Sequence, residues 1–136
     1  TFYTHYDNME QLVQDLENGV LLPLQELFAA QVCCPFACEK DRQILLEIIR
    51  FFRRRQEWIA VLCANPHGAF PSRLSALVQE SLEKRLAYWS LSYTSAELAF
   101  ATAGLLTLPS LLRVRGPEND PTLAQEYSHL LGKLWQ

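Results

Sequence analysis

Four cysteines, three histidines and a short run of arginines are the residues with the most evident reactive or ligating chemistry in this 136-residue chain. Cys33, Cys34 and Cys38 lie together in Cys-Cys-Pro-Phe-Ala-Cys, and Cys63 stands apart. Clustered thiols can hold zinc or sense oxidants. This spacing matches no common zinc knuckle, however, and adjacent cysteines are poorly placed to share one tetrahedral ion. Residues 1–11 show no basic segment followed by an apolar run, so no secretory signal is visible and reduced thiols in the cytoplasm are expected. Packing is the simplest role for such thiols. Oxidant sensing by Cys33, Cys34 and Cys38 is the alternative, because reactivity depends on local stabilisation of the thiolate.

His5, His67 and His129 are too far apart in sequence to form a paired-histidine ligand motif, so neither a metal nor another cofactor is expected. The chain contains no Gly-x-Ser-x-Gly, no phosphate-cradling glycine loop and no His-Glu-x-x-His, which argues against an enzyme. Arg50, Arg53, Arg54 and Arg55 could form a nucleic-acid patch. The first three share a helical face opposite much of the apolar stripe, as an ordinary solvated face also would. With a net charge of −3 and a pI near 5.6, the chain has no overall attraction for nucleic acid or an anionic membrane.

The elements that must position these residues all carry helical periodicity, and the predicted fold class is all-α. Leu12, Val13, Leu16, Val20, Leu24, Leu27 and Phe28 define a long first helix that starts near Asp7 or Asn8, with a kink expected at residues 19–23 from Gly19 and Pro23. Residues 32–40 read as a loop. Ile44, Leu45, Ile48, Ile49, Phe51 and Phe52 form the stripe of a second helix over 41–54, with Asp41 near its positive start. Trp58, Ile59, Leu62 and Cys63 continue the pattern until Asn65-Pro66-His67-Gly68 stops it. Leu74, Leu77, Val78, Leu82 and Leu86 mark the next helix after Pro71-Ser72. Residues 88–114 are read as one helix, apolar on more than one face and rich in small residues. After Gly116-Pro117, a last amphipathic helix begins at Asp120-Pro121.

The charge-free run 98–112 is shorter than the roughly 20 residues a spanning helix needs, so no membrane is expected and a buried or subunit-facing helix is. The last two helices carry more apolar surface than a chain of this size can cover. A symmetric homodimer built on them is the physical expectation, with Ala99, Ala103, Gly104, Leu123, Tyr127, Leu130, Leu131 and Leu134 at the interface.

The opening Thr1-Phe2-Tyr3-Thr4-His5-Tyr6-Asp7-Asn8-Met9-Glu10-Gln11-Leu12 resembles the end of the recognition helix, and the start of the linking helix, in the TetR family of bacterial transcriptional regulators. The resemblance implies that Thr1, Tyr3 and His5 face operator DNA and that Phe2 and Tyr6 pack the DNA-reading head. Residues 1–7 would then be the remnant of a helix-turn-helix domain, and 8–136 a TetR-like helical body that binds a small effector and dimerises. Met9 stands where the family usually has a phosphate-touching lysine, which removes one contact and about one unit of salt slope. Residues 103–116 and 120–134 are more loosely similar to the penultimate and last helices of a common subgroup, although Pro109 and Leu112 depart from it.

An upstream extension on the order of forty residues is expected to complete the helix-turn-helix. An effector pocket is implied by the family, with Phe51, Phe52, Trp58, Trp89, Tyr93 and Phe100 as candidate lining residues. The resulting expectation is a regulator, most simply a repressor, that acts without chemistry. The rival expectation is a stand-alone helical interaction module with no DNA-binding role.

Overall fold

Residues 9–135, which the computed structural model describes, form helices α1 (Met9–Gln31), α2 (Glu39–Arg54), α3 (Gln56–Ala64), α4 (Phe70–Tyr88), α5 (Ser95–Leu106), α6 (Leu108–Val114) and α7 (Asp120–Trp135). A single 3-10 turn, Pro117–Asn119, leads into α7, and there is no strand among the described residues. The all-α expectation therefore holds.

The second helix is the centre of the packing. Its stripe of Ile44, Leu45, Ile48, Ile49 and Phe52 is almost wholly buried, with Ile48 and Ile49 at 0% exposure. It packs most extensively against α7 and also touches α1, α3 and α6, while α4 joins α1 to α5. Leu24, Phe28, Phe70, Leu74, Val78, Leu82, Leu86, Leu108, Leu112, Leu123 and Trp135 complete one continuous core. Burying a leucine- or phenylalanine-sized side chain contributes about 1.5–3 kcal/mol, so this contiguous set outweighs the modest local preferences of any single helix.

The first helix continues through Gly19 and Pro23, the stretch where a kink was expected. Packing of Val20, Leu21, Leu24 and Phe28 on one side holds it through the weak positions. Residues 88–114, by contrast, are not one helix. The fourth helix ends at Tyr88 in a double C-terminal closure, Ser90 N–H to the Ala87 carbonyl at 3.1 Å and Leu91 N–H to the Leu86 carbonyl at 2.9 Å. Ser90 occupies the left-handed position usually given to glycine, with φ 53°. A new helix then starts at a capping box. Thr94 accepts from the Glu97 amide, and the Glu97 carboxylate accepts from the Thr94 amide. A turn at Thr107 separates α5 from α6, whose first turn carries Pro109.

The remaining boundaries are local chemistry. The Cys38 thiol caps α2, its sulfur accepting from the Asp41 amide at 3.3 Å. Arg55 separates α2 from α3, a break that periodicity alone did not reveal.

Candidate functional site

Helices α5 and α7 present an apolar surface. Phe100 is 79% exposed and Leu130 58%, with Ala99 and Ala103 also exposed and Gly104, Tyr127 and Leu134 half-buried. Between them lies an open groove of about 270 Å³, bordered by Phe100, Gly104, Leu105, Tyr127, Leu130 and Leu134, with Lys133 as its one charged lining residue. The Thr107 and Tyr127 hydroxyls approach to 2.6 Å and tie the α5–α6 junction to α7. Gly104 leaves open space where a Cβ would stand. Such a surface can be covered by apolar side chains of a partner. Of the eight residues expected at an interface, six lie on or beside this face and Leu131, though buried, lines the groove, whereas Leu123 turns into the core.

The segment Ser95–Val114 is apolar enough and long enough to cross a membrane by composition, with a mean hydropathy of 1.3 over its best window, of which 33% is buried. Its residues are divided between two directions. Leu98, Ala101, Leu105, Leu108 and Leu112 enter the core, while Ala99, Phe100 and Ala103 form the outer face.

The six aromatic residues expected around an effector pocket are not brought together. Phe51 and Phe52 are core residues of α2, with ring centroids 6.4 Å apart. Trp58 is exposed on α3, and Tyr93 is exposed just before α5. Trp89 stacks edge-on with Tyr88 and donates from its indole to the Val32 carbonyl at 3.2 Å. Only Phe100 of the six borders the α5–α7 groove. Thr1, Tyr3 and His5 lie outside the described residues.

Of the charged side chains with the most elaborate surroundings, Asp41 was read only as lying near the positive start of its helix, and Arg85 was not singled out. Asp41, wholly buried, accepts from Arg85 Nη2 at 2.6 Å, Ser128 Oγ at 2.6 Å, Gln31 Nε2 at 3.1 Å and the Ala37 amide at 3.2 Å. One carboxylate thus joins the end of α1, the loop before α2, α4 and α7. Arg85 also donates from Nε to the Cys34 carbonyl and from Nη2 to the Pro35 carbonyl, and its guanidinium carbon lies 3.9 Å from the Phe36 ring centroid. Phe36 in turn packs against Trp135 at 5.3 Å between centroids. With each carboxylate oxygen accepting two hydrogen bonds, the cluster is suited to fixing four elements relative to one another.

Two further ion pairs clamp the periphery. Arg53 makes a forked contact with Asp120, 2.7 Å at its shortest, and donates to the Leu112 and Arg115 carbonyls at 3.3 and 3.1 Å. It therefore closes the end of α6 onto the start of α7, which corrects its reading as part of a solvated basic face. Arg50 and Arg54 are exposed, and Arg55 lies 5.1 Å from the Phe51 ring centroid. Glu17 reaches from α1 to the start of α4, accepting from the Ala69 amide at 2.9 Å and from Arg73 at 3.0 Å.

The thiols divide by environment. Cys33 and Cys63 are exposed, Cys38 is half-buried and Cys34 is buried. Burial pushes the Cys34 thiol up, against the lowering influence of Lys40 and Arg85. Desolvation also raises Cys63, opposed by Arg113. The Tyr88 hydroxyl is raised chiefly by its hydrogen bond with Cys33. Among the described residues, no three His, Cys, Asp or Glu side chains converge in a way that could hold a metal ion.

Comparison with known proteins gives no match to a family model, to a curated protein or to a solved structure.

Proposed function

We propose that this chain is the helical body of a homodimeric transcriptional regulator resembling the TetR family. It binds a small effector, acts in the cytoplasm without chemistry of its own, and most simply serves as a repressor. The observation that carries the reading is the apolar α5–α7 face, on which Phe100 and Leu130 are exposed around a groove. The sequence pattern of residues 1–12 supports its direction towards DNA. Two copies joined by this face would set the spacing of two DNA-reading ends. An effector that binds one spacing more tightly would shift operator affinity by that difference.

The rival reading makes the same face the docking surface of a helical interaction module for a different protein. Sedimentation of the purified chain separates the two. A dimer that Leu130→Glu converts to a folded monomer supports the regulator, and a stable wild-type monomer favours the module. Selection of genomic DNA by the protein expressed from its natural reading frame tests the DNA arm directly. Recovery of two-fold symmetric sites is expected, and recovery of no sequence above background would overturn it.

A further inference from the structure

We propose that the first two turns of α1 form a releasable arm, locked to the body by insertion of the Glu17 carboxylate at the amino-terminal end of α4. No residue from 9 to 16 is fully buried, with Met9 at 52% and Leu16 at 38% exposure. The first buried residue of the helix is Glu17, at 3%. A charged side chain taken out of water at that position must be held by specific partners.

Those partners come from α4, which lacks a side-chain cap of its own and has no acidic residue in its first turn. Its exposed amide donors and positive end are completed by Glu17 from another helix. The Ala69 amide and the Arg73 guanidinium each take one carboxylate oxygen, and Asn18 contacts the second guanidinium nitrogen. Gly68 makes the approach possible. A Cβ there would stand 2.8 Å from Glu17 Oε2 and 3.4 Å from Val13 Cγ1.

The backbone just behind the latch is weak, since Gly19 is exposed and Pro23 lies inside the helix. Arg73 is 34% exposed, so water can compete for it, unlike Arg85 at 3% in the central cluster. The inner end of the arm is thereby held by a polar latch with a part-exposed partner, next to Gly19 and ahead of Pro23, which is the construction of a local opening unit. On the function proposed above, this arm is the segment that leads to the DNA-reading end. The latch itself does not depend on that reading, and its test uses no DNA.

Amide hydrogen exchange on the whole chain, followed by mass spectrometry, tests the proposal in Glu17→Gln and Gly68→Ala, which disturb the latch from opposite sides. Both variants are expected to speed exchange of residues 12–18 by tenfold or more, with exchange of residues 45–52 in α2 unchanged. An unchanged arm, or equal acceleration in α2, would overturn it. Asp15→Asn, on the exposed side of the same arm, is expected to leave exchange at the wild-type rate, and acceleration matching Glu17→Gln would also overturn the latch.

Discussion

The carboxylate of Asp41 and the guanidinium of Arg85 meet at 2.6 Å with side-chain exposures of 0% and 3%, forty-four residues apart in sequence. The same carboxylate carries Gln31 and Ser128, so α1, α2, α4 and α7 are bound through one residue. The desolvation cost of two buried charges is large, and it is offset here because each carboxylate oxygen accepts two hydrogen bonds and the guanidinium donates to two carbonyls besides. The pair therefore specifies how the helices fit together more than it adds net stability.

Removing Asp41 alone should leave Arg85 buried without its counter-charge. Asp41→Ala is expected to lower unfolding free energy by about 3–5 kcal/mol in urea denaturation. The double variant Asp41→Leu with Arg85→Met should regain most of that loss, because no uncompensated charge remains. A double variant as unstable as the single one would contradict this account.

Arg53 holds Asp120 and two carbonyls at the close of α6. Arg53→Ala should cost on the order of 2–3 kcal/mol, since charged hydrogen bonds are lost and Asp120, only 4% exposed in its side chain, is left unpaired. Arg54→Ala, in an exposed neighbour, should change stability by less than about 0.5 kcal/mol. Thermal unfolding of the two variants side by side checks the contrast.

Phe100 and Leu130 are exposed, so their polar substitution removes little from the core. On the homodimer proposed above, Phe100→Ser should weaken self-association by at least tenfold in sedimentation equilibrium, while helical content by circular dichroism stays at the wild-type level. Leu105→Ser, on the buried side of the same helix, should instead lower helical content and melting temperature.

The thiols should label in order of access. Iodoacetamide at neutral pH is expected to modify Cys33 well before Cys34, which is buried and donates towards the Ala30 carbonyl at 3.6 Å. Because the folded state raises the Cys34 value, it holds the proton more tightly than the unfolded chain does. That contribution to stability is present below the unfolded thiol's value and is lost as pH rises through the raised folded value. Cys34→Ala should therefore flatten the alkaline limb of the stability curve, and an unaltered limb would count against the assignment.

Much of the buried polar network was readable in principle. Glu17 stands four residues after Val13 and three before Val20, and Asp41 stands three and four before Ile44 and Leu45. Arg85 is three after Leu82, and Ser128 is four after Ala124 and three before Leu131. Each is a polar residue in an apolar register, which marks it as buried and in need of a partner. The capping box Thr94-Ser95-Ala96-Glu97 was also present, and it contradicts a continuous helix over 88–114. The preceding stop was hidden, because Ser90 takes the position where glycine would have announced it.

The sequence by itself determined the all-helical class, the stripes that form the core, the loop around Pro35, the stop at Asn65-Pro66 and the start of α7 at Asp120. These depend on periodicity and on local backbone chemistry, which act within a few residues. Only the tertiary structure decided that Asp41 meets Arg85 and Ser128, that Glu17 completes α4, and that the six candidate aromatics share no pocket. Pairings between residues 44 or 87 positions apart depend on which helical faces are packed together. That choice is made by burial of the whole core at once, and no local pattern encodes it.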